Sequence, residues 1–372
     1  MMAMIKRILF LVLLAAAIGG GCLGFFLRPV FVPPAIVPLE GASLNQTPVY
    51  TFAFEDGMET IRIDPDPAVY AGAKAADRSL HLYTDMPEEE WIPIYYLAFI
   101  NEPHQEPFYA DLLGALREIR DRRGLDDDRY LELIAVFVQS IPYETDASVT
   151  EPKFPIETFV DAAGDCDDKS LLLAGLLARE GYGVSLLYFG DENHMAVGVK
   201  SAGCGYRNTS FAYIETTNIS YVGIPPATLS GGATLSSDPL VIPVGEGERS
   251  YTACNQVQTI ERALSALRDR AAVIETELEA RGREIEAMRD TLDALNARMT
   301  PLLRAGDISD ISEYNRLVQD YNRMAGDYNQ AVDAYNALLD EVERVVDLHN
   351  DLAAGAHDRP ASYIMARAYL CG

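Results

Sequence analysis

Apolar residues are spaced in three ways along this chain, and each spacing predicts a different element. Near the start, Lys6 and Arg7 precede an uncharged run from Ile8 to Leu27. At about 1.5 Å per residue a helix over that run is roughly 30 Å long, the thickness of a bilayer's hydrocarbon core. Further on the period falls to two: "VYTFAFEDGMETIRI" carries two alternating runs around Asp56-Gly57, a hairpin signature. Helical spacing appears in "FYADLLGALREIRDRRG", which ends at Gly124. It appears again in "DDDRYLELIAVFVQSIPY", which opens on acidic residues suited to an N-cap and stops near Pro142. A third helix is predicted from Cys166 through a leucine-rich run, followed by strands at "GVSLLYFG", "HMAVGVKS" and "FAYIETTN". Helices followed by antiparallel strands predict an α+β fold. The Pro-, Gly- and Ser-rich stretch from Gly223 to Ser250 reads as loop around one short strand, "LVIPV".

Beyond Cys254 the texture changes. Val257, Ile260, Leu264, Leu267, Ala271, Ile274 and Leu278, then Ile285, Met288, Leu292, Leu295 and Met299, alternate spacings of three and four, broken only by Arg281. That is a coiled-coil seam. A break follows at "TPLLRAGDIS", with Pro301 and Gly306 as stop signals and Asp307 or Ser309 as the next cap. The second helix carries Tyr-Asn at 314, 321, 328 and 335. Its seam is read as Tyr314, Val318, Tyr321, Ala325, Tyr328, Val332, Tyr335, Leu339, Val342 and Val346, with Leu317, Met324, Ala331, Leu338 and Val345 as a flanking apolar row. Two helices of about 40 residues joined by a short loop fold back antiparallel into a rod of roughly 60 Å. The tyrosine rings are read as seam packing with their hydroxyls at the rim, rather than as a sugar-binding ladder. The extra row predicts docking on the main domain or on another copy.

Composition narrows the possibilities. With 372 residues, 49% of them hydrophobic, the chain affords at least one core and is not a mainly disordered polymer. Its 56 acidic against 30 basic residues give a net charge of -26, which argues against nucleic acid as a partner. The basic residues before the apolar run place the start of the chain inside the cell and the body outside. An uncleaved anchor, a cleaved secretory signal, and a lipoprotein-like signal ending at Cys22 remain open, and all three put the body at the outer face of a membrane. "RPVFVPPAIVP" is a proline-rich spacer that holds it off the bilayer.

The chemistry concentrates in "GDCDDKSLLLAGLLAREGYG", residues Gly164 to Gly183. Asp165 suits an N-cap, which makes Cys166 the first helical residue, and Asp168 completes an acidic capping box. A sulfur in the first turn feels the positive end of the helix dipole, and the Cys166 backbone N–H, without an intrahelical partner, is available to an oxyanion. The neighbouring aspartates oppose ionisation, so a nearby imidazolium is needed to favour the thiolate. Among the five histidines, His194 opens a strand shortly after the Cys166 helix, and Glu215 on the next strand is the natural carboxylate to orient it. Cysteine, histidine and acid form the nucleophile, base and orienter of acyl transfer through a thioester. Asp165, Asp167 and Asp168 lack the glycine and spacing of a calcium loop, so they are read as caps; no metal or other cofactor is expected. Gln139 and Tyr143 are candidates for a second oxyanion donor.

These residues resemble the transglutaminase-like superfamily of papain-like Cys-His-acid thiol enzymes, in the manner of a microbial membrane-anchored member. "GDCDDKSLLLAGLLAREGYGV", "HMAVGV" and "YIETT" match its three blocks in order and spacing, and "FVQSIPYETD" looks like the upstream segment of microbial members. The likeness covers roughly residues 105 to 225. It implies helices packed on an antiparallel sheet, with Cys166, His194 and Glu215 as catalytic residues and an amide in a protein or peptide as substrate. The family often has an aromatic residue two positions after the histidine, where this chain has Ala196. Its acid is more often an Asp in an Asp-Pro-Thr context, where this chain has Glu215.

The expected organisation is a signal anchor or signal peptide at residues 1–28, a spacer at 29–44, the transglutaminase-like domain at 45–253, the coiled-coil hairpin at 254–352 and a tail at 353–372. With Cys166 reserved for chemistry and Cys22 in the membrane segment, Cys204, Cys254 and Cys371 are the candidates for pairing, and an antiparallel hairpin predicts a Cys254–Cys371 disulfide. The expected activity is hydrolysis or transamidation outside the cell. A catalytically silent envelope scaffold that recruits partners, or another copy of itself, through the hairpin is the alternative.

Overall fold

The structure, a computed structural model, describes residues 32–44, 46–80, 86–145, 151–229, 232–305 and 311–372. The expected membrane segment, Cys22, Gly306, Asp307 and Ser309 lie outside the described residues. Among the described residues, no helix is long and apolar enough to cross a membrane. The chain divides into two compact units, with the boundary between Thr252 and Ala253.

The first unit is mixed α and β. Strands β1 (Val49–Phe54) and β2 (Gly57–Arg62) form the expected hairpin, and Glu55 in its turn takes a positive φ of 51°. Arg123 and Arg129 clamp that turn: Arg129 Nε donates to Glu55 Oε1 at 2.5 Å and Arg123 Nη1 to Glu59 Oε1 at 3.0 Å. Helices α1 (Pro67–Ala75), α2 (Glu88–Ile100), α3 (Glu106–Arg123), α4 (Asp127–Ser140), α5 (Pro155–Asp161) and α6 (Cys166–Arg179) follow. Helix α3 stops where Gly124 turns left-handed (φ 61°), and α4 starts where the Asp126 carboxylate accepts the Arg129 N–H at 2.9 Å. Pro93 stands inside α2, a helix not predicted from the sequence. Strands β3 (Gly183–Phe189), β4 (His194–Lys200), β5 (Phe211–Ile214) and β6 (Leu240–Glu246) make one antiparallel sheet in the order β5-β4-β3-β6.

Helix α6 lies on this sheet, packed on β3, β4 and β6, with α2, α3, α4 and α5 around its other faces. Hence Leu171, Leu172, Leu173, Ala174, Leu176 and Leu177, which point in every direction around the helix, are all completely buried. Its first turn and, at the far end, Ala178 and Arg179 are the parts that reach solvent.

The second unit holds α7 (Cys254–Ala305), α8 (Ile311–Ala354) and α9 (Arg359–Cys371). Helices α7 and α8 pair antiparallel. Arg270 Nε donates to Glu341 Oε1 at 2.8 Å, and Arg298 faces Glu313 at 3.5 Å; both pairs are separated by 28 residues along each helix, so they share one register. Exposed pairs of this kind add little stability, typically about 0–1 kcal/mol, but they discriminate between registers. Pro301 does not end α7, which runs through it to Ala305: a proline this close to the C-terminus removes a single ladder bond. The α8 seam is rotated from its expected position. Leu317, Ala331 and Val345 of the supposed flanking row are buried, whereas Leu339 and Val346 are each 41% exposed. Both rows keep three-four spacing with the tyrosines, and the larger buried set is the one facing α7. Tyr335 packs over Gly282, the gap beside Arg281, where an added Cβ would sit 3.9 Å from the ring.

The predicted Cys254–Cys371 bond does not form: Cys204 and Cys254 are disulfide-bonded cysteines, and Cys371 is a free thiol. The reason is α9. It begins beside the start of α7, where Arg359 Nη1 donates to Gln256 Oε1, and runs along α7 far enough that Tyr369 lies in the field of Arg270. The end of the chain is thereby carried well away from Cys254.

Because α6 has no room to collapse around a lost side chain, Leu172→Ala lowers the stability of the first unit by about 2–5 kcal/mol. Urea unfolding followed by the fluorescence of Trp91, the single tryptophan, measures this.

Candidate thiol site

The start of α6 is held by its own aspartates. Asp165 Oδ1 accepts the N–H groups of Asp167 and Asp168 at 3.0 and 3.1 Å, and Asp168 Oδ2 returns to the Asp165 N–H at 3.2 Å. This is the capping box, with Asp168 also accepting the Lys153 N–H at 2.6 Å. The cap leaves the Cys166 N–H unused. Gly164 must be glycine, since a Cβ there would stand 2.8 Å from the Asp168 Cβ. Its backbone bridges to Tyr143, with Gly164 N donating to Pro142 O at 3.2 Å and Glu144 N to Gly164 O at 3.1 Å.

Cys166 is partly exposed and its sulfur accepts the backbone N–H of Met195 while donating toward Asp167 Oδ1 at 3.5 Å. Ser170, one turn further along α6, donates to Met195 O at 3.2 Å and lies 3.2 Å from Thr216 Oγ1. Met195 is therefore gripped by α6 through both its N–H and its carbonyl, and His194 is the residue before it. His194 is 6% exposed. Its Nε2 lies 3.0 Å from Tyr213 Oη and 3.3 Å from Glu215 Oε2, so the structure brings His194 and Glu215 together and sets both beside the element that touches Cys166. Tyr213 Oη in turn donates to Glu215 Oε2 at 2.7 Å. The other oxygen, Glu215 Oε1, accepts from Thr216 N and Thr217 N at 3.0 Å each and from Thr217 Oγ1 at 2.8 Å.

The charges follow from these partners. Burial alone would push the Glu215 carboxyl up; His194, the Thr217 N–H and Tyr213 outweigh it and hold the carboxyl down at about 2. Burial, then the charges of Asp167 and Asp165, push the Cys166 thiol well up, against the Met195 N–H. Asp167 is half-buried, and desolvation, then the Asp165 charge, raise it to about 6 even though Tyr96 Oη donates to its Oδ2 at 2.9 Å. Asp168 is raised to about 7, by burial first and then by Asp165. Beneath them Lys169, completely buried, donates to Gln139 O at 3.1 Å and Ile141 O at 2.6 Å, at the C-terminal end of α4. Burial lowers its ammonium to about 8, and Glu215 opposes that shift.

Gln139 is not positioned as an oxyanion donor. Its Nε2 donates to Glu215 O at 2.7 Å and Ser220 O at 3.1 Å, and its Oε1 accepts the Ser220 N–H at 3.3 Å, so it braces the chain after β5 against α4. Tyr143 stays a rim residue, 36% exposed; burial, then Cys166, Asp165, Glu215 and Asp167, push its hydroxyl up to about 12. Ala196 faces the core cluster of Leu187, Phe189, Tyr206 and Tyr213 instead of a groove. Tyr213, Tyr96, Ser170 and Lys169 escaped the sequence reading. Only Tyr213 had a signal there: it precedes Glu215 by two, the spacing that puts both on one side of a strand. Among the described residues no cluster of His, Cys, Asp and Glu could hold a metal ion.

Comparison with protein-family models, curated proteins and solved structures returned no match.

Asp167→Asn tests the local electrostatics. Removing the charge and leaving Tyr96 an acceptor lowers the Cys166 pKa, so iodoacetamide alkylation at pH 7 becomes faster than in the wild type. The stability profile changes too. A carboxyl whose folded value is raised to about 6 contributes stability that is complete below the unfolded value and is lost as pH rises toward and through 6. The asparagine variant therefore loses less stability than the wild type between about pH 4 and 7, as read from thermal unfolding at several pH values.

Proposed function

We propose that the first unit is a transglutaminase-like thiol enzyme that cleaves or transfers the acyl group of an amide through a Cys166 thioester. The observation that carries this reading is the shared strand start: Met195 donates to the Cys166 sulfur while its neighbour His194 is tied through Nε2 to Glu215. With Nε2 so occupied, Nδ1 is the nitrogen available as base. Since the surroundings favour the protonated thiol, the proton moves as the sulfur attacks: Nδ1 takes it, the S–C bond forms, and the carbonyl electrons pass to an oxyanion facing the Cys166 N–H. The imidazolium then protonates the leaving amine, and water or a second amine resolves the thioester. The substrate is a protein or peptide amide, either the backbone or a glutamine side chain. The papain-like arrangement of helices on an antiparallel sheet is consistent with that assignment. The N-terminal run, by its length and flanking charge, tethers the body to the outer face of a membrane as an anchor or through lipidated Cys22.

One observation favours the alternative of a silent envelope scaffold: the thiol is pushed up and donates to Asp167, which suits an unreactive cysteine. The two separate by experiment. On the enzymatic reading, His194→Ala lowers the rate of Cys166 alkylation and of peptide-library turnover at pH 7 by about 100-fold or more, and Cys166→Ala abolishes turnover. A scaffold shows no turnover, and an alkylation rate that His194→Ala leaves untouched.

A further inference from the structure

Three groups meet at one point on the sheet, and only two of them belong to a Cys-His-acid triad. Tyr213 Oη stands between His194 Nε2 and Glu215 Oε2, at 3.0 and 2.7 Å, closer to Nε2 than the carboxylate is at 3.3 Å. Proton accounting then decides the tautomer. The phenol has one proton and gives it to Glu215, so its oxygen can only accept from the ring. An ionised carboxylate can only accept as well. Both groups facing Nε2 are acceptors, and Nε2 must therefore carry a proton, leaving Nδ1 with its lone pair.

The tyrosine is itself firmly placed. It is completely buried, its ring packs against Tyr206 at 5.3 Å and Phe189 at 6.4 Å, and its carbonyl accepts the Gly223 N–H at 2.7 Å. We propose that Tyr213 is a positioning residue of the thiol site, whose hydroxyl holds His194 in the Nε2–H tautomer and thereby presents Nδ1 as the base. The proposal rests on the thiol-enzyme reading for its purpose, but the tautomer it sets is measurable without any substrate. Tyr213 also donates to Glu215, which helps keep that carboxyl ionised. Losing the hydroxyl thus weakens the orienting contact twice.

The test compares the full-length wild type with Tyr213→Phe, which keeps the buried ring. Long-range 1H–15N spectra of histidine-labelled protein, with the His194 signals assigned by His194→Ala, report which ring nitrogen is protonated. The wild type is expected to show Nε2–H, and Tyr213→Phe a mixture with Nδ1–H. In parallel, Cys166 alkylation at pH 7 slows about tenfold, one hydrogen bond's worth. A wild type that is not Nε2–H overturns the proposal. So does a Tyr213→Phe protein whose tautomer and alkylation rate match the wild type, including one with only a lower melting temperature. If His194→Ala leaves alkylation unchanged, the enzymatic reading fails, whereas the tautomer comparison still decides the role of Tyr213.

Discussion

The site depends on one constraint of burial: the body of α6, from Asp168 to Leu177, is enclosed on every side, and Cys166 stands in the half-exposed turn before it. A helix with leucine on all faces is stable only when sheet and neighbouring helices cover it completely, and here β3, β4 and β6 on one side and four helices on the others do so. Burying each such leucine is worth about 1.5–3 kcal/mol, so the position and axial rotation of α6 are set by several side chains at once. The exposed first turn inherits that rigidity. Cys166 is placed by leucines it does not touch.

Three carboxylates crowd the same turn, an arrangement that would repel itself elsewhere. Two of them, Asp165 and Asp168, are consumed by the cap, where orphan N–H groups and the helix dipole favour negative charge. Burial outweighs such support at two of the positions: Asp168 is raised to about 7 despite its place in the cap, and Asp167 to about 6 despite hydrogen bonds from Tyr96 and Cys166. Below the turn, the buried Lys169 ammonium satisfies carbonyls at the end of α4 and supplies a positive charge that Glu215 feels. The acid and the cation are thus parts of one buried network in which each ion is hydrogen-bonded, the condition under which burying charge is tolerated.

Much of this was legible in the sequence, and the remainder had physical reasons to be hidden. The hairpin around Asp56-Gly57, the helices ending at Gly124 and starting at Asp126, the capped start at Asp165 and the strands before and after His194 are all local signals, and local chemistry decides them. Cys166 and His194 stood out because the chain has five cysteines and five histidines, whereas Glu215 was chosen from 56 acidic residues by its place on the strand after His194. What failed was long-range or degenerate. The α8 seam could be written on either side of the tyrosines, since Leu317, Met324 and Ala331 obey the same three-four rule as Val318, Ala325 and Val332; only the partner helix selects between them. The Cys254–Cys371 pairing followed from an antiparallel hairpin bringing both of its ends to one side, whereas α9 carries Cys371 away from that side along α7. Gln139 was read from its position near a helix end, whereas its hydrogen bonds reach across to Ser220 and the Glu215 carbonyl.

The surroundings of Cys166 also constrain how a thiol enzyme of this kind would have to work. A thiolate–imidazolium pair needs an environment that lowers the thiol, and here burial, Asp165 and Asp167 act in the opposite direction while only the Met195 N–H and the helix dipole assist. A resting thiol has its own advantage in any oxidising surroundings, because the thiolate is the form that oxidants and disulfides attack. The requirement then shifts to the base: the proton must leave as the S–C bond forms, so the geometry of the imidazole carries a burden that a pre-ionised sulfur would not place on it. Such an enzyme would depend on the contacts behind the ring. Glu215 accepts four hydrogen bonds apart from any made by His194, and Tyr213 is fixed by sheet, ring packing and a loop N–H. The weaker the thermodynamic bias toward thiolate, the more the reaction relies on where one ring nitrogen is held.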